Sequence, residues 1–305
     1  MKTGVNLINF GPSATPATFK RWAQMVEALG YHHLLISDHI AITEDVGARY
    51  PAPFYEPIST LGWLAGVTER ISIGTTVLIV PYRSPLEVAK AFANIDQLSG
   101  GRLILGVGVG WAKEEFAALN VPFHRRGKMT DEYLSAIKAL WTEESVSVDG
   151  EFVTFKNVDP APSPVQKPHP PIWVGGASEA AMRRAVRLGD GWHPIRFQMS
   201  WFRDEGIPRL REIADQAEKP MPQLCPRIKL RLTDTPTPED NRAVGEGSVN
   251  QIRGDMAMLA ELGCAHVTLD TYNDNVEETR NVETAWRMLA VMAEQVLDLG
   301  GETVR

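Results

Sequence analysis

Eight times along this chain a short apolar run is followed by a stretch with helical periodicity. The runs fall at residues 3–9, 33–37, 71–78, 103–109, 171–175, 191–194, 227–232 and 266–270. The stretch 71–80 carries no charge and no clean polar alternation, which suits a parallel sheet whose faces are covered by helices. Eight such units in 305 residues predict an α/β fold, a (β/α)8 TIM barrel formed as a single domain over residues 1–305. A doubly wound sheet is the competing arrangement of the same units.

Local punctuation agrees with this spacing. Thr15-Pro16 reads as a cap and first-turn proline, and Leu29-Gly30 as the matching stop. Between them Phe19, Trp22, Ala23, Val26 and Leu29 make one apolar stripe. Residues 145–170 break the rhythm and read as an insertion between strands 4 and 5. Runs at 146–148 and 152–155 flank an Asp149-Gly150 turn, so a hairpin is expected, followed by a proline-rich stretch. The loops 50–53 and 234–247 follow strand ends on the rim that carries active sites in barrels, and are candidate lids.

Composition narrows the classes of partner. A net charge of −7 without a lysine-rich run argues for a small-molecule substrate and against nucleic acid. No apolar stretch reaches about 18 residues, so no membrane partner is expected. Two cysteines, Cys225 and Cys264, are too few for a disulfide framework or a cysteine metal site. The amino terminus enters a strand-like run at once, and the expected location is cytoplasmic.

Four clusters at strand ends could carry chemistry. Ser37-Asp38-His39 places an imidazole beside a carboxylate, a pairing suited to proton transfer near neutral pH. Gly74-Thr75-Thr76-Val77 lies in the third run. Leu103-Ile104-Leu105-Gly106-Val107-Gly108-Val109-Gly110-Trp111 ends a strand with glycine at every second position, as if the backbone lay against something flat. It does not match the dinucleotide fingerprint G-x-G-x-x-G. Ile172-Trp173-Val174-Gly175-Gly176-Ala177-Ser178-Glu179 runs a strand into glycines and a serine-capped helix, where free N–H groups and the helix dipole suit a phosphate. A metal site is not expected, since only His39, His193 and Asp270 fall where ligands would be needed.

Taken in order, Ser-Asp-His, Gly-Thr-Thr-Val, Leu-Ser-Gly-Gly-Arg with Gly-Val-Gly-Val-Gly-Trp, and Pro-Ile-Trp-Val-Gly-Gly with Gly-Asp-Gly-Trp resemble the luciferase-like monooxygenase superfamily. Within it the chain is similar to the branch of oxidoreductases dependent on the deazaflavin coenzyme F420. The likeness spans roughly residues 1 to 200. It implies a barrel, usually a homodimer, that binds a flavin-type ring at its rim. His39, with Asp38 next to it, would handle the proton. Thr76 and Val77 would match a strand-three bulge, often a non-proline cis peptide, behind the ring. Gly108, Val109 and Gly110 would approach the cofactor through backbone, and Gly175, Gly176 and Ala177 would hold its phosphate. Sugar-phosphate dehydrogenases of the superfamily carry a glutamate and a tryptophan where Trp111 and Thr43 stand here; Glu114 and Glu115 lie a turn further on. Trp111, with Tyr50, Phe54 and Tyr55, points instead to a flat or apolar substrate. The expected activity is F420-dependent hydride transfer to or from a small organic substrate. The alternatives are a monooxygenase using reduced FMN and O2, and a non-catalytic flavin-binding barrel.

Overall fold

In the computed structural model, which describes residues 1–240 and 242–305, the short runs become strands β1 (Lys2–Leu7), β2 (His33–Ile36), β3 (Ser72–Thr75), β4 (Leu78–Ile79) and β5 (Leu103–Gly108). A hairpin, β6 (Val146–Asp149) and β7 (Thr154–Val158), precedes β8 (Ile172–Gly175) and β9 (Gly191–His193). Then come β10 (Gln223–Leu224), β11 (Arg227–Lys229), β12 (Arg231–Leu232), β13 (Glu246–Gly247) and β14 (His266–Asp270). The helices that position the site are α1 (Pro16–Ala28), α2 (Glu44–Gly47), α3 (Pro57–Val67), α4 (Pro85–Ser99), α5 (Lys113–Ala118), α6 (Arg126–Thr142) and α7 (Glu179–Leu188).

One parallel sheet runs in the order β10-β9-β8-β5-β3-β2-β1-β14-β11, with β4 also beside β5. Its two ends, β10 and β11, are successive pieces of one segment. Cys225 N–H donates to the Trp192 carbonyl at 2.9 Å on one side, and Thr268 N–H reaches the Pro226 carbonyl at 2.9 Å on the other. The sheet therefore curls back toward its own first edge. Because side chains alternate along each strand, Leu34, Ile36, Leu103, Leu105, Ile172 and Val174 join the main core outside the sheet. Leu35, Ile104, Trp173 and Cys225 make a separate buried cluster inside it. That plug divides the interior into a carboxyl-end mouth and an amino-end floor.

Helix α1 begins as expected: Thr15 is its N-cap, its hydroxyl accepts from Thr18 N–H at 3.1 Å, and Pro16 opens the first turn. Phe19, Trp22, Ala23 and Val26 are its buried face. Three expected boundaries are corrected. The run 71–78 is not one strand, because the chain breaks at Thr76-Val77 and β4 passes to β5. The run 227–232 also divides. After Leu230 the chain leaves the sheet, Arg231 N–H bonds the Gly245 carbonyl at 3.0 Å, and β12 pairs with β13. In the hairpin the second strand starts at Thr154, leaving a wider turn than Asp149-Gly150 alone. Glu132 of α6 explains this, since its carboxylate accepts the N–H groups of Glu151, Phe152 and Val153 at 2.8–3.0 Å. The candidate lid 234–247 includes Asn241, which lies outside the described residues. No described helix is long and apolar enough to cross a membrane.

Candidate functional site

The carboxyl ends of the strands enclose a cavity of ≈ 400 Å³, a size suited to a small organic group. Asp38, His39, Thr76, Val77, Gly108, Val109, Gly110, Gly175 and Gly176 all contribute to its wall. Segments separated by up to a hundred and more residues thus meet at one mouth. Ala177 does not line it; this residue is exposed just beyond, before Ser178, whose hydroxyl caps α7 by accepting from Ala181 N–H at 3.3 Å. Of the aromatic residues singled out, Tyr50 and Trp111 line the cavity. Phe54 packs edge-on to His39 with centroids 5.4 Å apart. Tyr55 turns away, against Phe19 at 4.9 Å.

The glycine strand end has a structural cause that sequence alone did not reveal. The Thr76-Val77 peptide is cis, and the Val77 side chain projects between β5 and β8. A Cβ on Gly108 would come within 2.6 Å of Val77 Cγ2, and one on Gly175 within 2.9 Å of Val77 Cγ1. The glycines therefore make room for Val77 first. What remains exposed to the cavity is Val77 flanked by bare main chain, a surface on which a flat ring can lie. Gly110 is needed for another reason, its left-handed φ of 78° at the turn into Trp111.

Behind the bulge sits a chain of polar contacts. His193 Nδ1 bonds the Cys225 carbonyl at 2.5 Å, so this nitrogen carries the hydrogen and Nε2 accepts from the Thr76 hydroxyl at 2.8 Å. Burial lowers the His193 pKa to about 4, with the Arg227 charge acting the same way against the Cys225 carbonyl bond, which raises it; the ring is neutral at pH 7. Arg227 Nη1 donates to the Thr76 carbonyl at 2.6 Å, and its Nη2 to Asp270 at 2.7 Å. Burial alone would raise the Asp270 carboxyl, but Arg227 and Lys229 outweigh it and hold the group far below the carboxylate range. His193 and Asp270 are thereby committed to organic partners.

Asp38 and His39, adjacent in sequence, face different ways. Both oxygens of Asp38 meet Arg83, at 2.7 and 2.9 Å, and one also accepts from Ile79 N–H at 2.9 Å. The carboxylate thus ties β2 to the segment after the bulge. His39 bonds instead through Nδ1 to Glu115 Oε2 at 2.6 Å. Glu115, on α5, is fully buried and also takes Ile40 N–H at 2.6 Å, Ala41 N–H at 3.0 Å and the Tyr82 hydroxyl at 2.9 Å. Burial raises its pKa, yet the His39 bond and charge together with the two N–H groups leave it below the usual value. Sequence reasoning noticed Glu115 only as a displaced acid. The signal that could have found it is its place beside Phe116, on the buried face of a short helix whose neighbour Glu114 is exposed.

Comparisons with known proteins identify relatives of the whole chain. The chain is similar to an F420-dependent glucose-6-phosphate dehydrogenase of Amycolatopsis mediterranei, 30% identical over 229 residues that cover 72% of this chain and 65% of that one. It is also similar to an FMNH2-dependent dimethylsulfone monooxygenase of Pseudomonas putida, 34% identical over 177 residues, 57% of this chain and 47% of that one. In fold it superposes on the coenzyme F420 dependent tetrahydromethanopterin reductase of Methanopyrus kandleri with a TM-score of 0.78, at 15% identity and 99% coverage of both chains. The model of the family described as luciferase-like monooxygenase matches residues 1–294. This chain belongs to the luciferase-like monooxygenase family, whose members are flavin- or F420-dependent oxidoreductases.

Proposed function

We propose that the protein is an F420-dependent oxidoreductase acting on a small, flat or apolar organic substrate. The observation that carries this reading is the convergence of His39, the Thr76-Val77 bulge and the Gly175-Gly176 turn on one cavity. The residues present fit a flat tricyclic group: Val77 with the bare backbone of Gly108–Gly110 offers it a surface, and Gly175, Gly176 and Ala177 lead its phosphate to the first turn of α7. The deazaflavin would supply the carbon that gives or takes a hydride. The chain's own part is to orient, to exclude water and to move a proton. His39 offers its Nε2 for that proton, the Nδ1 side being bonded to Glu115. Asp38, paired with Arg83, anchors the loop that carries His39. Trp111 and Tyr50 form the apolar wall for the substrate.

The same reading takes residues 1–305 as one (β/α)8 barrel domain with 145–170 as an insertion. It makes the protein a cytoplasmic homodimer with a small-molecule substrate as its partner, and with neither nucleic acid nor membrane. A second reading, reduced FMN with O2, draws on the likeness to the dimethylsulfone monooxygenase. Titrating the purified protein separately with F420 and FMN, following the fluorescence of each, decides between them. Saturable F420 binding is expected. Tight FMN binding with no F420 response would reverse the assignment, and binding of neither would remove it.

A further inference from the structure

We infer that Glu115 is the positioning residue for His39: its buried carboxylate fixes the imidazole with hydrogen on Nδ1, leaving Nε2 as the ring nitrogen available to the cavity. The functional half of this statement rests on the proposed role of His39. The structural half stands without any cofactor.

Four donors converge on the two oxygens of Glu115. Oε1 accepts the backbone N–H groups of Ile40 and Ala41, at 2.6 and 3.0 Å. Oε2 accepts His39 Nδ1 at 2.6 Å and the Tyr82 hydroxyl at 2.9 Å. An ionised carboxylate has about four acceptor positions, and here each has its donor. Among the described residues neither an arginine nor a lysine pairs with it; its carboxylate faces His39 and the two peptide groups that follow. A carboxylate held in this way can only accept, so His39 must donate from Nδ1. Orienting an imidazole through the nitrogen away from the reacting group is a general use of a buried acid, and it acts on the tautomer as well as the ring plane.

Exchange for an amide shows what the charge does. In Glu115→Gln only one atom can accept. The peptide donors of Ile40 and Ala41 are fixed by the backbone, so the amide oxygen stays with them and the NH2 group turns toward His39. Nδ1 must then accept, and the ring hydrogen moves to Nε2. Shape is almost unchanged while the nitrogen facing the cavity changes from acceptor to donor.

The test uses the full-length protein without cofactor, labelled with 15N-histidine, the His39 signals being assigned by their loss in His39→Gln. In the wild type the neutral ring should show the hydrogen on Nδ1. In E115Q it should move to Nε2. Tyr82→Phe removes a neighbouring donor from the same oxygen and should leave the hydrogen on Nδ1. A wild-type signal with the hydrogen on Nε2 overturns the inference, as does an E115Q signal identical to wild type. Should E115Q fail to fold, the wild-type and Tyr82→Phe spectra still decide. In turnover E115Q should lose a factor of about 10² or more in kcat with KM within about threefold, the mark of a group that acts during the reaction. A protein that binds neither F420 nor FMN ends the proposed function and leaves the spectra as they are. A wrong tautomer in a protein that binds F420 ends only this inference.

Discussion

The two ends of the curled sheet hold cavities of nearly equal size, ≈ 400 Å³ at the mouth and ≈ 420 Å³ at the amino-end floor, and both contain histidines. What differs is the partner each imidazole is given. His39 at the mouth bonds an ionised carboxylate. His33 at the floor has the Thr268 hydroxyl at 2.9 Å on Nε2, while its buried Nδ1 and that of His266 have no protein partner among the described residues. Around them lie Lys2, His32 and Glu27, and among the described residues no carboxylate bonds either ring. Burial first, then the neighbouring His266 and His193, hold His33 well below its ordinary pKa, while burial and then Lys2 and His32 bring His266 down to about 4. Cavity size and residue type therefore fail to mark a site. What separates the two rings is the group behind each, an ionised carboxylate for His39 and a hydroxyl for His33.

The largest expected effect breaks the comparison directly. His39→Gln should lower kcat by about 10²- to 10⁴-fold, the usual worth of a positioned proton-transfer group, while the protein stays folded. His33→Gln should keep kcat within about twofold of wild type. Steady-state kinetics on both, with melting curves as the check on folding, would dissolve the distinction if the two variants lost activity alike.

How much of this was legible in the sequence follows the range of the forces involved. Strands and helix caps were readable because they depend on neighbours a few residues away, as at Thr15-Pro16. The convergence at the mouth was readable too, because a parallel sheet puts every carboxyl end on one side. Partners across the sheet were not. Nothing within the Ser37-Asp38-His39 motif says that its acid belongs to Arg83 and its imidazole to Glu115, 76 positions further along. Likewise the glycines at 108 and 175 suggested close approach, but the object approaching is Val77, whose projection depends on the break after β3.

A smaller effect sharpens the contrast through pH. His33, His193 and His266 bind protons more weakly in the folded protein than the unfolded value near 6.5, so the unfolded chain gains protons first on acidification. Their stabilising contribution is complete above that value and falls as pH drops toward 4. Between pH 7 and 5 His193 and His266 should each cost about 2 kcal/mol of unfolding free energy, and His33 shifts in the same direction. Asp270 and Glu115, whose pKa values are lowered, lose their contribution as pH falls through the ordinary carboxylate range and below it, largely outside this window. Urea denaturation at the two pH values measures the loss, and His33→Gln should reduce it by one histidine's share. An unchanged pH response in that variant would mean the floor is wetter and less apolar than its burial states.

The smallest effect concerns two tryptophans that each sit beside histidine. Trp173, 1% exposed, packs between His33 and His193 at centroid distances of 5.4 and 5.7 Å and belongs to the plug. Trp111, 40% exposed, stands edge-on to His39 at 5.8 Å with the Arg49 guanidinium 4.8 Å from its ring. An aromatic face left open beside the His39 imidazole has apolar surface still to cover. If a substrate hides roughly 60 Å² of it, at about 25 cal/mol per Å², the contact contributes about 1.5 kcal/mol, or about tenfold in affinity. Trp111→Ala should accordingly raise KM about tenfold for substrates that support F420 turnover, and shift the melting temperature by less than about 2 °C, as an exposed position does. A KM equal to wild type would make Trp111 an ordinary surface residue and withdraw the apolar wall from the mouth, leaving the Glu115–His39 pair to carry the contrast between the imidazoles of the two ends.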